Sequence, residues 1–238
     1  EKGMQQLPDT LAAHLRGTLR LNAPAARIER TAAGFAIKLA SGETLEARTV
    51  ILATLAHTAA DLLTELAPAS ATLLRQIRHE NIGTLSLAYR DEDIPAKPLI
   101  NGLMIPRREK RAIDAVTVSS RKMPERAHLG YTLLRVFFGG AKPELVTYDD
   151  EKLLAAVRAE LRDLLNIRAE PLAHDIYRWP AGFPQAEVGH LERIDAIEAS
   201  LPAGIFLAGS SYRGIAVPDC IKQGREAARK VIPESNVS

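Results

Sequence analysis

A single cysteine, Cys220, in 238 residues excludes an internal disulfide framework and agrees with a reducing compartment. Aromatic side chains are scarce, at 5% of the chain, but apolar residues reach 46%, enough for a real core. An excess of one charge is also missing. The formal net charge is only +2, with acids and bases interspersed, so the chain carries no electrostatic footprint for nucleic acid. No apolar run approaches the length of a membrane span and no signal peptide opens the chain, which points to a cytoplasmic location. The usual catalytic constellations are lacking too: no Cys-x-x-Cys, no His-Glu-x-x-His and no Gly-x-Ser-x-Gly occurs. His14, His57, His79, His128, His174 and His190 show no metal-ligand spacing, so no metal site is expected.

Hydrophobic periodicity organises what is present. Leu7, Leu11, Leu15 and Leu19, four apart, predict an amphipathic helix over 7–19 with Pro8 near its start. Strands are predicted at 19–22, 26–30, 34–40 and 45–53, the last apolar on both faces in its second half. Helices should dominate 57–78, and strands with loops should follow at 84–90, 102–106, 114–120 and 131–138. A helix over 149–165 is marked by Leu153, Val157 and Leu161 on one side and opened by the acids Asp149, Asp150 and Glu151. Residues 172–179 read as extended, 190–201 as helix, 204–208 as strand and 218–232 as helix. A strand–turn–helix pattern at each end, around a middle of different texture, predicts a mixed α/β (α+β) chain. Its first domain, 1–55 and 186–238, would be interrupted by a second at 56–185.

The stretch AGSSYRGIAVPDC, residues 208–220, follows a short buried strand and leads through a glycine turn into a helix. Pro218 suits a first helical position and Asp219 adds negative charge to the first turn. The backbone of Ile215, Ala216 and Val217 then aims N–H groups and a positive dipole end at whatever lies beyond it. That suits an anion, or a ligand that becomes anionic. Gly209 to Gly214 mimics a phosphate loop in spacing, but Ile215-Ala216 stands where Lys-Ser/Thr is needed, which rejects that reading. No side-chain acid, base or nucleophile stands out. The chemistry therefore belongs to a bound cofactor.

Three stretches, GMQQLPDTLAAHL at 3–15, WPAGFPQAEVGHLERI at 179–194 and GIFLAGSSYRGIAVPDCIKQGREAA at 204–228, strongly resemble the C-terminal half of bacterial protoporphyrinogen and coproporphyrinogen oxidases. Phe-Gly-Gly at 138–140 adds to the likeness, which runs nearly the length of the chain in the same order. The resemblance implies part of a Rossmann-like FAD-binding domain interrupted by a substrate domain with a mixed sheet and helices. It implies FAD as cofactor, a porphyrinogen as substrate and oxygen as acceptor, in haem synthesis. It places Ile215, Ala216 and Val217 against the pyrimidine edge of the flavin. Ala25 falls where the family has a valine whose backbone meets the adenine, and Trp179 falls near the flavin. Met104, Val116 and Phe137 fall on the substrate wall. Asp219 becomes a capping residue and Cys220 a small hydrophobe. The fingerprint Gly-x-Gly-x-x-Gly is absent, so the chain reads as a fragment whose partner is the missing N-terminal half. Such a fragment should lack oxidase activity and tend to self-associate, with peripheral membrane contact left open. A related flavin amine oxidase or desaturase, or a non-catalytic porphyrin-binding module, remains an alternative at this point.

Overall fold

A computed structural model describes residues 3–95 and 101–232. The chain divides into two units, one built from residues 1–78 and 184–238 and the other from 79–183. The middle unit thus starts later than the predicted residue 56. The reason is packing: Ala56, Ala59, Ala60, Leu62, Leu63, Ala71, Leu74 and Ile77 all join the core of the first unit.

In the first unit α1 (Gln6–His14) is followed by β1 (Ala25–Thr31), β2 (Gly34–Leu39), β3 (Thr44–Ala47) and β4 (Val50–Leu52). The order β1-β2-β3 is antiparallel, whereas β4 pairs in parallel with β10 (Ile205–Leu207). The predicted strand 45–53 is therefore two strands in two sheets, broken by a bend at Arg48. The predicted strand 19–22 does not form, and β1 remains an edge. Helices α2 (Ala56–Leu62), α3 (Pro68–Arg75) and, near the end, α6 (His190–Ser200) pack beside these strands; α7 (Val217–Val231) closes the chain. Helix α1 stops short of the predicted 7–19, and none of its residues is buried. Its leucine stripe, Leu7, Leu11 and Leu15, is 39–62% exposed, so the amphipathic face is present but uncovered.

The second unit is a five-stranded sheet in the order β6-β7-β8-β5-β9. Its strands are β5 (His79–Arg90), β6 (Gly102–Met104), β7 (Ala115–Val118), β8 (Tyr131–Phe138) and β9 (Ala173–Pro184). A short α4 (Ser119–Lys122) follows β7, and α5 (Asp150–Leu165) covers one face. Asp149 caps α5 by accepting the Lys152 N–H at 2.7 Å, as its acidic start implies. Leu153, Val157 and Leu161 of α5 are fully buried against Leu85, Leu87, Leu134 and Val136 of the sheet. Alternation then settles every face: residues paired with these point at the helix, and their chain neighbours point away. No helix among the described residues is long and apolar enough to cross a membrane.

Candidate functional site

In the first unit the turn between β10 and α7 is held from four sides. Gln223, buried on α7, accepts the N–H groups of Gly209 and Arg213 and donates to the Gly214 carbonyl, each at 3.3 Å. Arg213 binds Glu198 and Asp195 on α6, which hold its guanidinium well above its ordinary value. His190 opens α6 and bonds through Nε2 to the Tyr212 carbonyl at 2.7 Å, so Nε2 carries the proton. Ser211 accepts the Ala56 N–H at 3.1 Å, which caps α2. The Val-Gly-His and Gly-Ser-Ser runs thus have structural work in fixing this turn.

What the turn delivers is the start of α7. The helix begins at Val217, with Pro218 second rather than first. Asp219 Oδ2 accepts the Ala216 N–H at 3.2 Å, so this donor is taken within the chain. That corrects the expectation of three free donors at 215–217. The Ile215 and Val217 N–H groups meet no acceptor among the described residues, and both side chains are 45% exposed. Gly214 has φ +137, and a Cβ there would lie 2.6 Å from Asp219 Oδ2, so only glycine allows the cap. Ala25 lies elsewhere in this unit, exposed at the start of the edge strand β1, opposite Leu39. Among the described residues its strand has one unpaired edge, which leaves backbone groups available.

Tyr212 ties the turn to its unit. It is 2% exposed and its hydroxyl donates to the Thr54 carbonyl at 3.0 Å. Burial pushes its phenol well above the usual value near 10. Above that ordinary value the unfolded chain loses the phenolic proton while the folded chain keeps it, so stability falls as pH rises. Melting of Tyr212→Phe is expected to show a shallower alkaline decline than the native chain, with about 1 kcal/mol lost at neutral pH for the hydrogen bond. Parallel alkaline declines in thermal melts of the two proteins would remove Tyr212 from this account.

In the second unit the register separates the expected wall residues. Met104 pairs with Ala115, Ala115 with Phe137, and Phe137 with Thr84, so these share the face away from α5. Val116 pairs with Leu103 and Val136 on the opposite face, and is 2% exposed within the core. Its side chain packs under α5 and leaves the wall. Along β9, Ile176 packs on the core and Arg178 reaches Asp150 of α5 at 2.7 Å, so Tyr177 and Trp179 point the other way. Their rings lie 4.3 Å apart between centroids. The outer face therefore carries Met104, Phe137, Tyr177 and Trp179, of which Met104 is 85% and Trp179 41% exposed. A cavity of about 260 Å³ in this unit lies elsewhere, around Asp91, Arg121, His128 and Thr132.

Two residues escaped the sequence reading. Asp114 accepts the Gly140 and Ala141 N–H groups at 2.8 and 2.7 Å, which gives Phe-Gly-Gly its structural reason. Arg135 stands on the outer face between Leu133 and Phe137, and alternation in YTLLRVFF was the signal for it. Among the described residues no group of histidine, cysteine and acids is arranged to hold a metal.

The chain is similar to known proteins along nearly its whole length. The family model for flavin containing amine oxidoreductases matches residues 1–232. Coproporphyrinogen III oxidase of Bacillus subtilis (strain 168) is 29% identical over 94% of this chain and 48% of its own length. That of Propionibacterium freudenreichii is 32% identical over 97% of this chain and 44% of its own. The chloroplastic protoporphyrinogen oxidase of Nicotiana tabacum is 28% identical, with 97% and 45% covered. A crystal structure from Exiguobacterium sp. 255-15, provisionally named a protoporphyrinogen oxidase, superposes with a TM-score of 0.84 at 28% identity, covering 96% of this chain and 51% of that one. The chain spans about half the length of the relatives it matches. It belongs to the flavin containing amine oxidoreductases, a membership that implies FAD as its cofactor.

Proposed function

We propose that this chain forms the flavin-edge and substrate-wall half of an oxidase that converts a porphyrinogen to the porphyrin in haem synthesis, with oxygen as final acceptor. The reading rests on one observation above all, the exposed apolar and aromatic face of the second unit. Met104 and Phe137 share it with two rings in tilted contact, Tyr177 and Trp179. Such a face suits a large, mostly apolar macrocycle. The names of the relatives, coproporphyrinogen III and protoporphyrinogen oxidases, supply the substrate class.

The donors at α7 fit the cofactor. FAD, when bound, supplies the acceptor for each hydride taken from the macrocycle. The Ile215 and Val217 N–H groups and the dipole of α7 favour negative charge beside them, and they are fixed in advance by Gln223, Arg213 and Asp219. Asp219 does this by capping, and half-buried Cys220 has no chemical part. Ala25 offers edge-strand backbone to the adenine end, and the partly exposed Trp179 ring is free to stand near the flavin. Among the chain's own residues, orientation, exclusion of water and a preset dipole are the means of catalysis.

The test is turnover by the protein encoded by the full reading frame, with coproporphyrinogen III, protoporphyrinogen IX and a set of primary amines. Porphyrin fluorescence should appear with one or both porphyrinogens and hydrogen peroxide should not form with the amines. Amine turnover without porphyrinogen oxidation would replace this reading with that of an amine oxidase.

A further inference from the structure

Arg135 lies on β8, the central strand of the five-stranded sheet, and its side chain is exposed on the face away from α5. Its cross-strand partners are Thr117 and Ser86, and its same-face neighbours along β8 are Leu133 and Phe137. None of these is acidic. In the same unit Arg90, Arg107, Arg111, Arg158 and Arg178 each hold a carboxylate. Arg135 holds none among the described residues, nor do the exposed Arg126, Arg162 and Arg168; what sets Arg135 apart is its place on the open face of the sheet. Lys122 ends α4 and Arg126 lies on the turn after it, both exposed, while Arg107 pairs with Glu80 and Arg108 with Glu109, so these four are ordinary surface.

Arg135 is a guanidinium flanked by two hydroxyl side chains in the middle of a sheet face whose margins are apolar and aromatic. Here Thr117 and Ser86 stand beside it across the strands and Leu133 and Phe137 along β8, with Met104 on β6 and the Tyr177 and Trp179 rings on β9 two strands to either side on the same face. Strands about 4.8 Å apart make the surface from β6 to β9 roughly 19 Å wide, enough to face a whole macrocycle with Arg135 near its middle. The ligand such a surface selects is a broad apolar plane with a carboxylate arm, because a planar fork of donors matches a carboxylate in bidentate fashion.

Resting on the porphyrinogen reading above, we infer that Arg135 pairs with a propionate arm of the macrocycle and sets its orientation on the outer face. It is a specificity residue and takes no part in hydride removal. The test uses coproporphyrin III and its tetramethyl ester, titrated by fluorescence into the native chain, Arg135→Gln and Arg135→Lys. Because the Arg135 side chain is exposed and has no hydrogen-bond or ion-pair partner among the described residues, all three chains should melt at the same temperature. Arg135→Gln is expected to bind the free acid about 10-fold more weakly, the scale of one charge-assisted pair, and the ester as the native chain does. Arg135→Lys should recover part of the acid affinity, since charge returns without the fork. Equal affinity of native and Gln chains for the acid would overturn the assignment of Arg135 and leave the wall standing. Failure of the native chain to bind either acid or ester would overturn the porphyrinogen reading together with it.

Discussion

Phe138→Ala is expected to cost about 3–5 kcal/mol of stability, and Phe137→Ala, its neighbour, clearly less. The two rings differ only in the face they occupy. Phe138 is fully buried and sits over Gly83 on the paired strand, where an added Cβ would fall 2.2 Å from the ring's Cζ. The ring covers the glycine backbone, so its removal leaves a cavity bounded by a strand that has no side chain to relax into it. Phe137 is only half buried on the outer face, and its truncation opens onto space that is already open. Urea unfolding of both variants measures the difference. Equal penalties would mean that Phe137 is core as well, and the outer face would lose its central aromatic. Under the proposed function, Phe137→Ala should also weaken porphyrinogen binding in the full enzyme.

Strong local signals made much of this fold legible in the sequence. The alternation of Leu134, Val136 and Phe138 against Leu133, Arg135 and Phe137 marks β8 at its observed ends. The acids at 149–151 mark the start of α5, and Pro218 with Asp219 marks α7 within a residue. Pairing partners were not legible. Residues 45–53 look continuous in hydrophobicity, yet 50–52 are apolar because β10, more than 150 residues away, lies beside them in parallel. Residues 19–22 have the pattern of a strand but no strand to pair with. The domain boundary slipped to 78 because α2 and α3 bury alanines as well as leucines, and small residues give little contrast to a periodicity reading. Val116 was misplaced for a related reason. Its strand was right, but a face is fixed only by register, and register is a property of two strands. The donor at Ala216 was lost to a side chain three residues on, a contact that the Asp219 signature of a capping box foreshadows.

FAD titrated into the 238-residue chain is expected to bind too weakly for a stoichiometric yellow complex, and the chain should show no oxidase activity. The donors that this chain offers are few. Ile215 and Val217 contribute two N–H groups, each worth about 0.5–1.5 kcal/mol net, and the Ala25 edge adds backbone contacts of the same scale. Association costs about 4–15 kcal/mol in lost freedom before any contact is counted. In dinucleotide-binding folds the pyrophosphate supplies the missing affinity through a glycine loop and helix N-terminus, and no Gly-x-Gly-x-x-Gly occurs in these residues. Apolar side chains also stand exposed in the first unit: Leu7 and Leu11 on α1, Leu15 just after it, and Ile215, Val217 and Ile221 at α7 are all 39–62% exposed. Light scattering should therefore show self-association that grows with concentration. A folded chain with weak flavin affinity separates cofactor loss from unfolding. In the protein from the full reading frame, Ala216→Leu should then lower flavin content while leaving the melting of the first unit unchanged, because Ala216 is exposed at the helix start and packs on no core. Tight one-to-one binding of FAD by the 238-residue chain, or full flavin content in Ala216→Leu, would place the cofactor on other residues than these.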